Sequence, residues 1–146
     1  MVKLAQTENE LGACYETMRS LRTEVSRQEF MRLVPEMMQH GYRLAYIEAE
    51  KQVVCVAGFR IGLNLALGKH LYVDDLATLE THRSKGHGET MLKWLENYAR
   101  EQQCRVFHLD SGVQRFRAHK LYFKQDMHIF SYHFAKQLGF EWGRTK

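Results

Sequence analysis

The sequence predicts a single domain of the α/β (α+β) class, with helices packed on a mixed central sheet. Three observations carry this. The chain has 146 residues and 17.3 kDa, the size of one ordinary domain, and can bury roughly 70% of its unfolded surface without disulfides or a structural metal. A single proline, Pro35, and no Ser/Gly-rich linker or internal repeat interrupt it, so residues 1–146 read as one domain. The hydrophobic period switches from helical to alternating and back, in the order β-α-α-β-β-β-α-β-α-β.

Residues 2–6 alternate as a short first strand. Glu8 to Leu21 follows as a helix, with Leu11, Cys14, Tyr15, Met18 and Leu21 at helical spacing. Ser26 with Glu29 three residues on is a capping box for a second helix towards His40. There Pro35 is expected to kink the helix or start a new one, and Gly41 to stop it. Met31, Val34, Met37 and Met38 form its buried face. Tyr42–Glu48, Gln52–Leu65 and His70–Leu79 are rich in Val, Ile, Tyr and Leu and read as an antiparallel meander. Next comes an amphipathic helix with Met91, Leu92, Leu95, Tyr98 and Ala99 on one face. Val106–Leu109 is a strand, Phe116–Lys124 a helix, and Met127–Lys136 a last strand pair or long strand.

Composition excludes several classes. The longest apolar run, Val53 to Phe59, has seven residues, against about 20 for a membrane span. Charges at Lys3, Glu8, Glu10, Glu16 and Arg19 leave no signal core near the start. The three cysteines, Cys14, Cys55 and Cys104, are odd in number and far apart, which suggests reduced thiols in a cytoplasmic protein. No Cys/His spacing suits zinc, so no metal is expected. The net charge of +4 comes from scattered basic residues, not the stripe of a nucleic-acid binder. It suits a phosphate-bearing small molecule equally well.

The segment Arg83-Ser84-Lys85-Gly86-His87-Gly88 lies between a strand and a helix. Its glycines allow close approach to a ligand, the helix start offers unpaired N–H groups to a phosphate, and Arg83 and Lys85 add charge. It is neither of two familiar phosphate loops. Glu89-Thr90 stands where a Walker A loop needs Lys-Ser/Thr, and Met91 where a dinucleotide fingerprint needs its third glycine.

With Tyr72-Val73-Asp74-Asp75-Leu76-Ala77-Thr78-Leu79 before it and Glu89-Thr90-Met91-Leu92 after it, this loop resembles motif A of the GNAT superfamily of N-acetyltransferases. Ala118-His119-Lys120-Leu121-Tyr122-Phe123 resembles motif B. The resemblance spans about residues 42–136. It implies a mostly antiparallel sheet flanked by helices and splayed between the fourth and fifth strands. It also implies acetyl-CoA as cosubstrate, its pyrophosphate on the amides of Arg83, Ser84, Lys85, Gly86, His87 and Gly88, with Glu89 and Thr90 beside them. Two positions depart from the pattern: Ser84 and Asp126 stand where relatives often have glycine. Asp126 can take the left-handed turn a glycine would take.

The same resemblance implies the roles. A bulge in the fourth strand exposes an amide of Leu76 or Ala77 to the thioester oxygen, and Ala77 and Thr78 pair with the pantetheine arm. Tyr122 protonates the leaving sulfur, and Asp74 is the first candidate for the base. Asp74 and Asp75, adjacent on a strand, point to opposite faces if the strand is regular; pairing with Arg or Lys is the competing role for both. His108 and His119 are alternative bases. Ser111, after the fifth strand, caps a loop or touches CoA, and Tyr132 and His133 line the acceptor pocket or are ordinary strand residues. Cys104 makes a poor nucleophile.

The expected activity is acetyl-CoA-dependent N-acetylation of a primary amine on a small molecule, by direct attack in a ternary complex. The alternatives are acetylation of a protein N-terminus or lysine, and a catalytically silent CoA-binding regulatory module. No membrane partner is expected, nucleic acid is disfavoured, and a homodimer rests on family habit.

Overall fold

Both N-terminal helices begin at reciprocal caps. The Thr7 and Ser26 hydroxyls accept from the amides of Glu10 and Glu29, whose carboxylates accept in return from the cap amides. Each cap satisfies two helix-end donors, and they start α1 (Glu8–Arg19) and α2 (Arg27–Gln39) where the sequence places them. α2 runs through Pro35. One missing hydrogen bond is offset by Phe30 and Val34, which anchor this helix in the core. The computed structural model describes residues 1–141.

Five strands form one sheet in the order β1-β2-β3-β4-β5. They are β1 (Val2–Leu4), β2 (Tyr42–Ala49), β3 (Gln52–Asn64), β4 (Gly68–Thr78) and β5 (Val106–Leu109). The first four are antiparallel neighbours and β4–β5 is parallel, which is the mixed, mostly antiparallel sheet expected. A 3₁₀ turn at Glu80–His82 leads from β4 to α3 (His87–Glu101), the crossover to β5. The β4–β5 pairing covers only His70–Val73 against Val106–Leu109. Beyond Val73, β4 continues to Thr78 beside β3 alone, so the sheet is splayed at that point.

Packing divides the chain into Met1–Leu109 and a second unit from Asp110 onwards. In the first unit, one sheet face presents Tyr42, Leu44, Tyr46, Val56 and Ala77 to α1 and α2. The other presents Ala45, Ile47, Ala57, Phe59, Leu71 and Val73 to α3, through Met91, Leu95 and Ala99. The larger aliphatic and Phe side chains among them, such as Leu44, Val56, Ile47, Phe59, Leu71 and Leu95, each contribute about 1.5–3 kcal/mol when fully buried. The second unit carries α4 (Phe116–Lys124). The strand or strand pair expected at Met127–Lys136 is absent, and these residues lie outside any strand or helix. The alternating pattern is there, but among the described residues no strand pairs with it.

Gly58 on β3 is fixed by a close approach. A Cβ at this position would overlap the Tyr42 hydroxyl and stand 2.5 Å from Asp75 Oδ2, where the hydroxyl donates to that carboxylate at 2.7 Å. Gly58→Ala should therefore cost about 2–4 kcal/mol, combining overpacking with a damaged buried hydrogen bond. Chemical denaturation with an unchanged m-value checks it.

Candidate active site

The register of β3 on β4 slips between Gly58 and Phe59. Gly58 faces Asp75 and Phe59 faces Val73, which leaves Asp74 as the extra residue of a β-bulge. A bulge interrupts alternation, so neighbouring side chains can share a face. Asp75 bonds Tyr42, and Asp74 bonds Arg60, the residue paired with Tyr42 across β2 and β3. Both carboxylates thus stand on the α1/α2 face, and the opposite-face expectation for a regular strand is corrected.

Two guanidinium groups meet them. Arg22, just beyond α1, donates from Nε to Asp75 Oδ1 at 2.7 Å and from Nη2 to the Asp74 carbonyl at 2.7 Å. Arg60 donates to Asp74 Oδ2 from Nε and Nη2, both at 2.8 Å, and its cation lies 5.6 Å from the centre of the Tyr42 ring. Asp75 is buried with both oxygens engaged. Asp74 is half-buried, and its Oδ1 takes no hydrogen bond among the described residues. Burial raises the Asp74 carboxyl above its ordinary range, against the opposing pull of Arg60, with Asp75 adding to the rise and Arg22 opposing it. Tyr42 is pushed well above its usual value by burial and by Asp75, so its hydroxyl remains a donor.

Past the bulge, the Leu79 amide donates to the Val54 carbonyl of β3. Amides along a strand point alternately to either side, so those of Asp75 and Ala77 face β3 while those of Leu76 and Thr78 face the splayed edge. Of the two amides proposed for the thioester oxygen, it is that of Leu76 which faces the edge. The Leu76 side chain packs on the α3 side, Ala77 is buried on the other, and the Thr78 hydroxyl contacts Cys55 Sγ at 3.5 Å.

The phosphate-loop candidates follow directly. Arg83, Ser84, Lys85 and Gly86 are exposed, and His87, Gly88 and Glu89 are half-buried at the start of α3, with Thr90 exposed behind them. Ser84 (φ 62°) and Gly86 (φ 85°) are both left-handed, and no side chain caps this helix. Its first-turn amides have no intrahelical acceptor. Arg83 Nε donates to the Thr78 carbonyl at 3.4 Å, and Glu89 pairs with Lys93 at 2.8 Å.

In the second unit, Tyr122 is buried on α4. Burial raises its hydroxyl above the ordinary phenol value, with Arg115 and Ser111 pulling the other way. Ser111 is near enough for that influence but not in hydrogen-bond geometry, and its buried Oγ has no partner. His119 Nε2 donates to the Gly112 carbonyl at 2.8 Å. Asp126 adopts φ 58°, the left-handed turn foreseen for it. Tyr132 and His133 are exposed and belong to no strand.

Back in the first unit, His108 Nε2 lies 2.8 Å from His70 Nδ1, bridging β4 and β5. Arg22, Arg60 and Tyr42 escaped the sequence reading. They lie 53, 14 and 33 residues from their partners, and no local period announces such contacts. No group of three or more His, Cys, Asp or Glu suited to a metal occurs among the described residues. Nor is any described helix long and apolar enough to cross a membrane.

A family model described as the acetyltransferase (GNAT) family matches residues 5–127. The chain is 30% identical over 137 residues to the uncharacterised N-acetyltransferase YhdJ of Bacillus subtilis, covering 92% of this chain and 96% of that one. Among solved structures it is similar to a transcriptional regulator from Bacillus halodurans, with TM-score 0.84 and 16% identity over 94% of this chain and 99% of that one. A glucosamine-6-phosphate N-acetyltransferase from Arabidopsis thaliana superposes with TM-score 0.74 and 20% identity, at the same coverage of both chains.

The Asp74 carboxyl yields a pH test. Its native pKa is raised above 3.8, so the native state binds its proton more tightly than the unfolded one. The resulting stability is full below about pH 4 and is lost as pH rises through the native pKa. Arg60→Met removes the largest opposing influence. Carboxyl NMR titration should then show Asp74 shifted further upward.

Proposed function

We propose, from the premise that this chain belongs to the GNAT family of acetyltransferases, that it transfers acetyl from acetyl-CoA to the primary amine of a small molecule. The attack is direct, in a ternary complex. The observation that carries this reading is the bulge. It sets the Asp74 carboxylate, with one oxygen uncommitted, two residues along the strand from an amide that faces the splayed edge.

The residues fit acetyl-CoA. The Leu76 and Thr78 amides offer a strand-like edge to an amide-bearing pantetheine arm, with Ala77 holding that edge against β3. The left-handed pair Ser84 and Gly86 turns the Arg83–Gly88 backbone into a helix start that lacks a side-chain cap, the setting in which backbone amides and the helix dipole hold phosphate. Arg83 and Lys85 supply charge. When bound, the cosubstrate supplies an activated acetyl thioester.

The remaining chemistry belongs to the chain. Asp74 Oδ1 attracts the acceptor ammonium and takes its proton, directly or through water, and burial makes it a better base than an ordinary carboxylate. The Leu76 amide donates to the thioester oxygen as charge develops there. Tyr122, kept protonated by burial, is the proposed acid for the leaving sulfur, a role carried by its place in the Ala118–Tyr122 motif. A small acceptor suits a half-buried carboxylate, and one structure of similar fold acts on glucosamine 6-phosphate. Cytoplasmic action accords with three free thiols in a setting that favours reduction.

Two experiments test this. Acetyl-CoA at 100 times its Kd should stabilise the protein by about 2.7 kcal/mol, a melting shift of roughly 5 °C or more for a domain of this size. Gly88→Asp should abolish the shift while leaving the unliganded melting point nearly unchanged, because Asp suits a helix start but puts charge and bulk where phosphate would sit. No shift in the parent protein at millimolar acetyl-CoA overturns the reading.

In an acetyl-CoA consumption assay over a panel of amines, Tyr122→Phe should lower kcat about 100-fold with little change in KM for acetyl-CoA. Full kcat with chemistry rate-limiting would return Tyr122 to a packing role on α4.

A further inference from the structure

One row of paired residues runs straight across four strands. Tyr42 on β2 faces Arg60 on β3, Arg60 faces Tyr72 on β4, and Tyr72 faces His108 on β5. The next row outward holds Gly62, His70 and Val106. The rings of Tyr72 and His108 lie 5.0 Å apart, and His108 Nε2 meets His70 Nδ1 at 2.8 Å. A Cβ at position 62 would stand 2.8 Å from His70 Nε2, so it is the glycine that lets this imidazole lie across β3. Arg60, His70, Tyr72 and His108 are all half-buried. They form a floor on the sheet face that carries Asp74, joined to it through Arg60.

Charge decides what this floor suits. Asp74 and Asp75 are matched one for one by Arg60 and Arg22, so the cluster is neutral before any acceptor arrives. Neither guanidinium is used up. Arg60 spends Nε and Nη2 on Asp74, and Arg22 spends the same two atoms on Asp75 and the Asp74 carbonyl. Nη1 of each takes no hydrogen bond among the described residues, and the two side chains are 37% and 48% exposed. An ammonium held on Asp74 Oδ1 therefore has two cations with spare donors for neighbours. Neither row of the floor holds an Asp or Glu. A second ammonium would meet like charge there, whereas an anion would meet unspent N–H groups.

We propose that the acceptor is a zwitterionic amine, a small molecule with a carboxylate or phosphate beside the amine it offers, and that Arg60, with Arg22 next to it, sets specificity by binding that anion. A guanidinium fork suits either anion by its geometry. With the ammonium on Asp74 and the anion on Arg60, opposite charges alternate around the site and each charge has a partner. Polyamines and polycationic sugars are selected against, because their additional ammonium groups face the two arginines. This specificity rests on the acetyl-transfer reading of the same site.

Acetyl-CoA consumption by the full chain over matched acceptors tests it: phenylalanine and other amino acids against their carboxamides, and glucosamine 6-phosphate against glucosamine. In at least one pair kcat/KM should favour the anionic member about 10–100-fold, the range of a charge-assisted hydrogen bond, and mostly through KM. The pair that responds identifies the anion as carboxylate or phosphate. Arg60→Gln should bring that ratio to within about threefold; its effect on Asp74 is common to both members and cancels. Arg60→Lys keeps the charge on Asp74 but lacks the second arm of the fork, should give an intermediate ratio, and stands in if the glutamine variant fails to fold. Wild-type ratios all within about threefold, spermidine or kanamycin outpacing every zwitterion, or a ratio that survives both variants overturns the proposal and leaves acetyl transfer standing. No turnover with any amine, while acetyl-CoA still raises the melting point, overturns transfer to small amines and the zwitterion together.

Discussion

Two carboxylates on successive residues of one strand, turned to the same face, repel each other and resist burial. The fold around them is organised to make that arrangement tolerable. Arg22 reaches from beyond α1 to Asp75 and to the carbonyl of the bulge, Arg60 crosses from β3 to Asp74, and Tyr42 closes over Asp75. Removing one member leaves a partly buried charge without its partner, a larger loss than the pair's net worth. The docking of α1, the glycine at position 58 and the bulge are therefore one constraint. The helix end delivers Arg22 to Asp75 and to the Asp74 carbonyl at the bulge, and the Tyr42 hydroxyl cannot reach Asp75 unless position 58 lacks a side chain.

This constraint also shapes reactivity. Asp75 spends both oxygens on structure, while Asp74 gives one to Arg60 and keeps the other. Burial leaves Asp74 the more basic of what a carboxylate can be, and Arg60 holds that tendency in check. A difference of one position along the chain thus separates a carboxylate with both oxygens engaged from one with an oxygen uncommitted.

Local chemistry was legible in the sequence, and long-range chemistry was not. The capping box at Ser26 and the helical faces follow from spacing within a few residues, while the second capping box, at Thr7, was not read. Both departures from the family pattern, Ser84 and Asp126, occupy left-handed backbone, so the turns survive without glycine at about 1–2 kcal/mol each. No new helix begins at Pro35, because packing of Phe30 and Val34 outweighs one lost bond. A bulge in β4 was implied by the family resemblance alone; its place at Asp74 depends on the partner strand, here on Gly58, and no alternation within β4 reveals it. Arg22 and Arg60 were invisible for the same reason. The last strand has the right alternation but lacks a neighbour, and pairing is not a property of one segment.

The burial of Cys14 and Cys55 bears on how this protein meets sulfur chemistry. Desolvation pushes their thiols up to about 12 and about 11, and the partly exposed Cys104 is also raised by burial. Thiol–disulfide exchange proceeds through the thiolate, which is scarce on all three at neutral pH. In the proposed reaction acetyl-CoA would release a free thiol at every turnover, and reactive cysteines on the polypeptide would form mixed disulfides with it under oxidation. These cysteines are poor partners for that exchange. A chromogenic disulfide reagent added to the folded protein would accordingly report the released coenzyme, with little contribution from the polypeptide.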